Sequence, residues 1–169
     1  MDKLKEAALH TDFSKVIVDE DASTVYLEDP DMRLDVGAIA KGYATELVAR
    51  SLEAKGIDHV LLSVGGNIRA IGIRGDGKPW KLEIQNPDLD SDKKAIDALD
   101  LDGFSLVSSG DYERYYIVDG VRYHHIIDPE TLMPAAYFRA VSVVCRDSGW
   151  ADALSTAIFN MPYEKGLAM

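Results

Sequence analysis

Asp152 and Thr156 stand one helical turn apart in the run WADALSTAIFN, Trp150 to Asn160. In a helix, positions i and i+4 share a face, so a carboxylate and a hydroxyl would converge on one point. Two readings fit. Oxygen-only ligands suit a hard cation such as Mg²⁺, which accepts one carboxylate, other oxygens, water and substrate phosphates. Alternatively, Asp152 caps its own helix while Thr156 bonds back to a carbonyl of the preceding turn.

Three further stretches carry residue types with chemical potential. In LDVGAIAKGYA, Leu34 to Ala44, glycines and small residues separate Asp35 from Lys41 just before a helix. A glycine turn at a helix start can offer backbone N–H groups to phosphate, with Lys41 adding charge, although P-loop spacing is missing. The structural alternative is that Gly37 and Gly42 serve close packing. VSSGDYERYY gathers Ser108, Ser109, Gly110 and Asp111 into a polar corner between strands. In YHHIIDP, His124 and His125 face opposite sides of a strand, so at most one faces a site; Asp128 before Pro129 suits a turn. LSVGGNI reads as a bend with close backbone approach.

These stretches must be held by elements that the patterning predicts. Lys15 to Leu27 reads as two strands around the polar turn DEDAS. YATELVARSLEAKG is an amphipathic helix stopped at Gly56. HVLLSVGGNIRAIGI gives strand, glycine break, strand, and Asp76-Gly77 then predicts a hairpin turn leading into WKLEI. Asp88 to Asp102 is acidic and polar, and reads as a surface connection. Beyond it come strand, turn, strand, an Asp119-Gly120 turn and another strand, then RAVSVVC. DSGWADALSTAIFNM is a second helix capped by Ser148 or Asp147, and PYEKGLAM starts a third behind Pro162. The class is α+β: a hairpin-rich mixed or antiparallel sheet with two or three packed helices, in one domain over residues 1–169.

With 18 Lys plus Arg against 29 Asp plus Glu, the net charge is −11. Such a surface repels nucleic acid and anionic membranes, so an anionic substrate needs a local cation. Cys145 is the single cysteine, which excludes an internal disulfide and a Cys-based metal site. The sequence holds no apolar run long enough to span a membrane, and MDKLKEAALHTDF lacks the hydrophobic core of a signal peptide.

Taken in order, LDVGAIAKGYA, SVGGNI, KPWKLEIQNP, VSSGDYERYY, YHHIIDPET and ADALSTA closely resemble the ApbE family of FAD:protein FMN transferases. The resemblance runs from about Val16 to the C-terminus. It implies an enzyme that binds FAD with Mg²⁺, moves the FMN half onto a Thr or Ser hydroxyl of an acceptor protein, and releases AMP. On this resemblance the metal ligands fall on Asp152 and Thr156, with Ser155 beside them and the backbone carbonyl of Ala38. FAD-contacting positions fall on Asp35, Lys41, His125 and Ile126, and more loosely on Asp111. His125 is the expected general base, ahead of Asp152. Family members often act in the bacterial periplasm or at the cell surface.

Two departures shape the expectations. After the threonine of its D-P-x-T stretch the family usually has a glycine that supports a tight turn. This chain has Leu132, which predicts an altered loop. Family members also carry a large N-terminal portion that embraces FAD ahead of the glycine-turn block, which here begins at Leu34, so the chain resembles a shortened member. Besides the transferase, the same residues suit an FAD diphosphatase giving FMN and AMP, or a non-catalytic binding module.

Overall fold

A computed structural model describes residues 2–169. The strand patterns resolve into antiparallel pairs throughout. Helix α1 (Asp2–Ala8) and a short 3-10 turn (Phe13–Lys15) lead into β1 (Val16–Asp19) and β2 (Thr24–Leu27). These strands form a hairpin of their own, as the DEDAS turn predicts. Helix α2 (Ala40–Glu53) follows, then β3 (Val60–Val64), β4 (Asn67–Ile71), β5 (Trp80–Gln85), β6 (Ala95–Leu101) and β7 (Ser105–Gly110). The chain closes with β8 (Tyr115–Val118), β9 (Val121–His124), β10 (Ala140–Cys145), α3 (Ser148–Phe159) and α4 (Tyr163–Ala168).

The centre is a four-stranded sheet in the order β10-β7-β4-β3. Side chains alternate across a strand, so each face has its own chemistry. Ile68, Ala70 and Leu106 face the β5–β6 ribbon, where Leu82 and Leu101 complete an apolar cluster with Trp80 and Phe104. Asn67, Arg69, Val107 and Ser109 take the opposite parity, and Arg69 and Ser109 bond to α2 and α3 respectively. The layers are therefore helices, sheet and ribbon. A second cluster, Ile126, Ala135 and Phe159, packs α3 against the HIIDP segment.

Both helices reach the sheet through narrow stripes of small or polar residues. In α2 the buried positions are Gly42, Thr45, Glu46 and Ala49; in α3 they include Ser148, Ala151, Asp152, Ser155 and Phe159. This spacing is helical. Gly56, at φ +76°, terminates α2 while the Ile57 N–H returns to the Leu52 carbonyl at 3.1 Å. Asp147 caps α3, accepting from the Trp150 N–H at 2.9 Å. No helix among the described residues is long and apolar enough to cross a membrane.

Two expectations need correction. Asp88 to Asp102 is not only a connection: Ala95–Leu101 is β6, whose Leu99 and Leu101 supply the apolar side of the ribbon. Asp76-Gly77 does turn the chain, with Gly77 at φ +80°, yet β5 pairs with β6 rather than with β4. Leu132 adopts φ +57° and its N–H reaches the Asp128 carbonyl at 2.8 Å. This turn places a leucine in the left-handed region.

Candidate active site

A cleft of about 800 Å³ opens where the helix-facing side of the sheet meets the start of α2 and the middle and end of α3. Asp35, Ala38, Lys41, His125, Ile126, Asp152 and Thr156 all line it. Residues spread over most of the chain thus meet at one place.

Asp152 sits at the base, 3% exposed. Its Oδ2 accepts from the Gly42 N–H at 2.7 Å, and its Oδ1 lies 3.4 Å from Lys41 Nζ. Lys41 Nζ also lies 3.4 Å from Asn67 Oδ1, so a fully buried asparagine holds the lysine over the cleft. The local alternative for Asp152 and Thr156 is excluded. Asp147, not Asp152, caps α3, and Ser155, not Thr156, bonds back to the Asp152 carbonyl at 2.9 Å. The nearest partner of Thr156 Oγ1 is Ser109 Oγ, at 3.5 Å.

Helix α2 begins earlier than the pattern predicts, and this matters. Lys41 and Gly42 lie inside its first turn. The Gly37 N–H is taken by Asp35 Oδ1 at 2.6 Å and that of Gly42 by Asp152, so these two amides are already paired with carboxylates rather than free for phosphate. Gly42 is the third residue of α2, so its N–H is one of the helix-start donors that find no acceptor inside the helix. Here the Tyr43 N–H keeps its regular partner, the Ile39 carbonyl, at 2.9 Å, while Gly42 turns to Asp152. Ala38 precedes the N-cap Ile39, so its carbonyl lies outside the helical ladder. Asp152, with a single strong donor, Thr156 one turn on and Ala38 line the same cleft: a carboxylate, a hydroxyl and a carbonyl outside the helical ladder make an all-oxygen set that fits a hard cation.

The two histidines divide as the strand period requires. His124 is buried, edge-on to Phe159, with Nε2 3.0 Å from the Ala135 carbonyl. His125 lines the cleft, with Nδ1 3.2 Å from the Arg114 carbonyl. A proton on Nδ1 would satisfy that carbonyl and leave the Nε2 lone pair free. Desolvation by the cleft wall holds the His125 imidazole below its ordinary value, which favours the neutral form. Asp128 does serve a turn, accepting from the Glu130 N–H at 2.8 Å.

Two expected site residues lie elsewhere. Asp111 is drawn off by Arg122 Nη1 at 3.1 Å and Arg139 Nε at 3.2 Å, and lines a smaller cavity of about 320 Å³. Ser155 is wholly buried, its hydroxyl spent between Ser109 Oγ at 2.8 Å and the Asp152 carbonyl. Conversely, Gly65, Ser109, Glu113, Arg114 and Asn160 line the cleft without having been singled out for it. Arg114 makes no ion pair among the described residues, so it adds a free cation. The polar run SSGDYERYY was the available signal, and it places Ser109 and Arg114, but not Asp111, along the cleft. The one cluster of His and carboxylates spaced for a metal among the described residues, His10, Asp29 and Asp31, is outside the cleft lining, and Lys15 Nζ lies 3.6 Å from Asp29.

The ApbE family model matches residues 1–169. The chain belongs to the ApbE family. Among curated ApbE relatives, the FAD:protein FMN transferase of Treponema pallidum is 40% identical over 182 residues, covering 99% of this chain and 50% of the relative. That of Vibrio cholerae is 36% identical, covering 88% of this chain and 45% of its own. Among solved structures, the ApbE protein of Thermotoga maritima superposes with a TM-score of 0.86 at 37% identity, over 95% of this chain and 51% of the other. The flavin transferase ApbE of Vibrio cholerae gives 0.84 at 31%, over 99% and 52%. The chain spans about half the length of the ApbE relatives it matches.

Proposed function

We propose that this chain carries the metal-binding, phosphoryl-transferring half of an FAD:protein FMN transferase. In this reading the FMN half of FAD passes to a Thr or Ser hydroxyl of an acceptor protein, and AMP leaves. The observation that supports it is the convergence of Asp35, Ala38, Lys41, His125, Ile126, Asp152 and Thr156 on one cleft.

Asp152, Thr156 and the Ala38 carbonyl would hold Mg²⁺. Bound there, the ion would neutralise charge developing on the diphosphate oxygens. The chain's own groups do the rest. Lys41 and Arg114 offset the anionic substrate against the acidic cleft residues Asp35, Glu113 and Asp152. His125 Nε2 accepts the proton of the acceptor hydroxyl as its oxygen bonds to the FMN phosphorus. The bond from that phosphorus to the bridging oxygen breaks, and AMP carries off the electron pair. Asp152 is the poorer base, because its carboxylate is committed to Gly42 and the ion.

The test is incubation of the chain with FAD, Mg²⁺ and a threonine-containing acceptor peptide, followed by mass spectrometry. Flavin covalently bound to the threonine, with an equal amount of AMP, supports the transfer. Free FMN and AMP with unmodified peptide would establish hydrolysis instead, and no AMP would leave a binding module.

A further inference from the structure

Helices α2 and α3 are joined by two hydrogen bonds one turn apart. The first is Gly42 N–H to Asp152 Oδ2 at 2.7 Å. The second is Ser148 N–H to Glu46 Oε2 at 3.0 Å. Residue numbers rise along α2 from 42 to 46 as they fall along α3 from 152 to 148, so the helices run antiparallel at this crossing. Gly42 sits at closest approach. A Cβ there would overlap the Ser148 carbonyl oxygen and come within 2.5 Å of Asp152 Cβ.

Glu46 is 5% exposed, and three donors converge on its carboxylate. Arg50 Nε reaches Oε1 at 3.0 Å, and Arg69 Nε and the Ser148 N–H reach Oε2 at 3.1 and 3.0 Å. Arg69 is itself 6% exposed on β4, with Nη2 3.3 Å from Glu53. Arg50 also reaches across to Asp147 Oδ2, the cap of α3, at 2.7 Å. One buried carboxylate therefore fastens α2, the sheet and the first N–H of α3. A buried acid in so complete a set of donors fixes its neighbours' positions. Its cleft-side neighbour, one turn along each helix, is the Asp152–Gly42 bond, at the start of α2 that follows Ala38.

We infer that Glu46 is a positioning residue for the metal site: it sets the spacing and register of α2 against α3, and through them the placement of Asp152 and the Ala38 carbonyl. The inference rests on the metal role proposed for Asp152. Replacing Glu46 by glutamine keeps its shape but puts an amide N–H₂ against guanidinium donors, which loosens the fastening without removing any metal ligand.

The experiment compares the wild-type chain, Glu46→Gln and Leu82→Ala, the last in the apolar cluster on the other face of the sheet. Two quantities are read: Mg²⁺ affinity by calorimetry, and the exchange rate of the Gly42 amide by NMR. Glu46→Gln is expected to weaken Mg²⁺ binding about 10- to 100-fold and to speed Gly42 exchange at least about tenfold. Leu82→Ala should leave both within about twofold. Wild-type values of both in Glu46→Gln, or equal losses in Leu82→Ala, would overturn the inference. Should Glu46→Gln fail to fold, Arg50→Gln, at an exposed residue, should move both readouts in the same direction by a smaller factor; no movement there would also overturn it. A wild-type chain that binds no Mg²⁺ would refute the metal reading alone, because the Gly42 amide reports on Glu46 without any ion.

Discussion

His125 carries a prediction that follows from its surroundings. Its imidazole is held below the ordinary value of about 6.5 by desolvation, so it stays neutral and basic as pH falls through that value. If it is the base, kcat/KM for transfer should fall only on an acid limb whose midpoint lies below 6.5, and His125→Gln should lower kcat by about 10²- to 10⁴-fold and remove that limb. A pH–rate profile of both proteins checks this. At Leu132 the prediction concerns stability. A left-handed leucine is strained by about 1–2 kcal/mol, partly offset in glycine by its freer unfolded chain. Leu132→Gly should therefore raise stability by up to about 1 kcal/mol in urea unfolding. The residue types at the cleft were readable because an acid and a hydroxyl at i and i+4 must share a helix face. The tasks of Asp111 and Ser155 were not readable. Each depends on partners distant in sequence, Arg122 and Arg139 for one and Ser109 for the other.

The elements that position the site are α2, α3 and the middle strands, and the two helices cross with no room for a side chain at Gly42. Gly42→Ala should force the helices apart at Ser148 and Asp152, destabilising the chain by about 1–3 kcal/mol and weakening Mg²⁺ binding together. Urea unfolding and a metal titration on one sample check both effects. Strand and helix positions were largely legible, because alternation and the Gly56 stop act locally. Pairing was not. Nothing in IRGDGKPWKLEI states that β5 turns to β6, and the acidic composition of Asp88 to Asp102 concealed a strand whose inward residues are only Leu99 and Leu101. The start of α2 was missed for a related reason. Its first residues, Ala40 to Gly42, are recruited by Asp152 from a helix more than a hundred residues away.

At the scale of the whole chain, burial is uneven. In α1 and the β1–β2 hairpin no residue is buried, and Ile17, Val18, Val25 and Tyr26 are exposed on both faces of the hairpin. An isolated two-stranded hairpin is marginal in water. Limited proteolysis should therefore cut first within residues 2–31 and leave the sheet with α2 and α3 intact; first cuts within α2 or β7 would contradict this distribution of stability. The net charge of −11 makes a second molecular property consequential: the cleft can accept a diphosphate only if cations are supplied where it lies. The most direct measurement is a titration of the chain with FAD, with and without Mg²⁺, followed by flavin fluorescence and by released AMP, alongside Asp152→Ala. The account predicts Mg²⁺-dependent binding and AMP release that both vanish in Asp152→Ala. FAD binding that ignores Mg²⁺ and Asp152, or no binding under either condition, would contradict it.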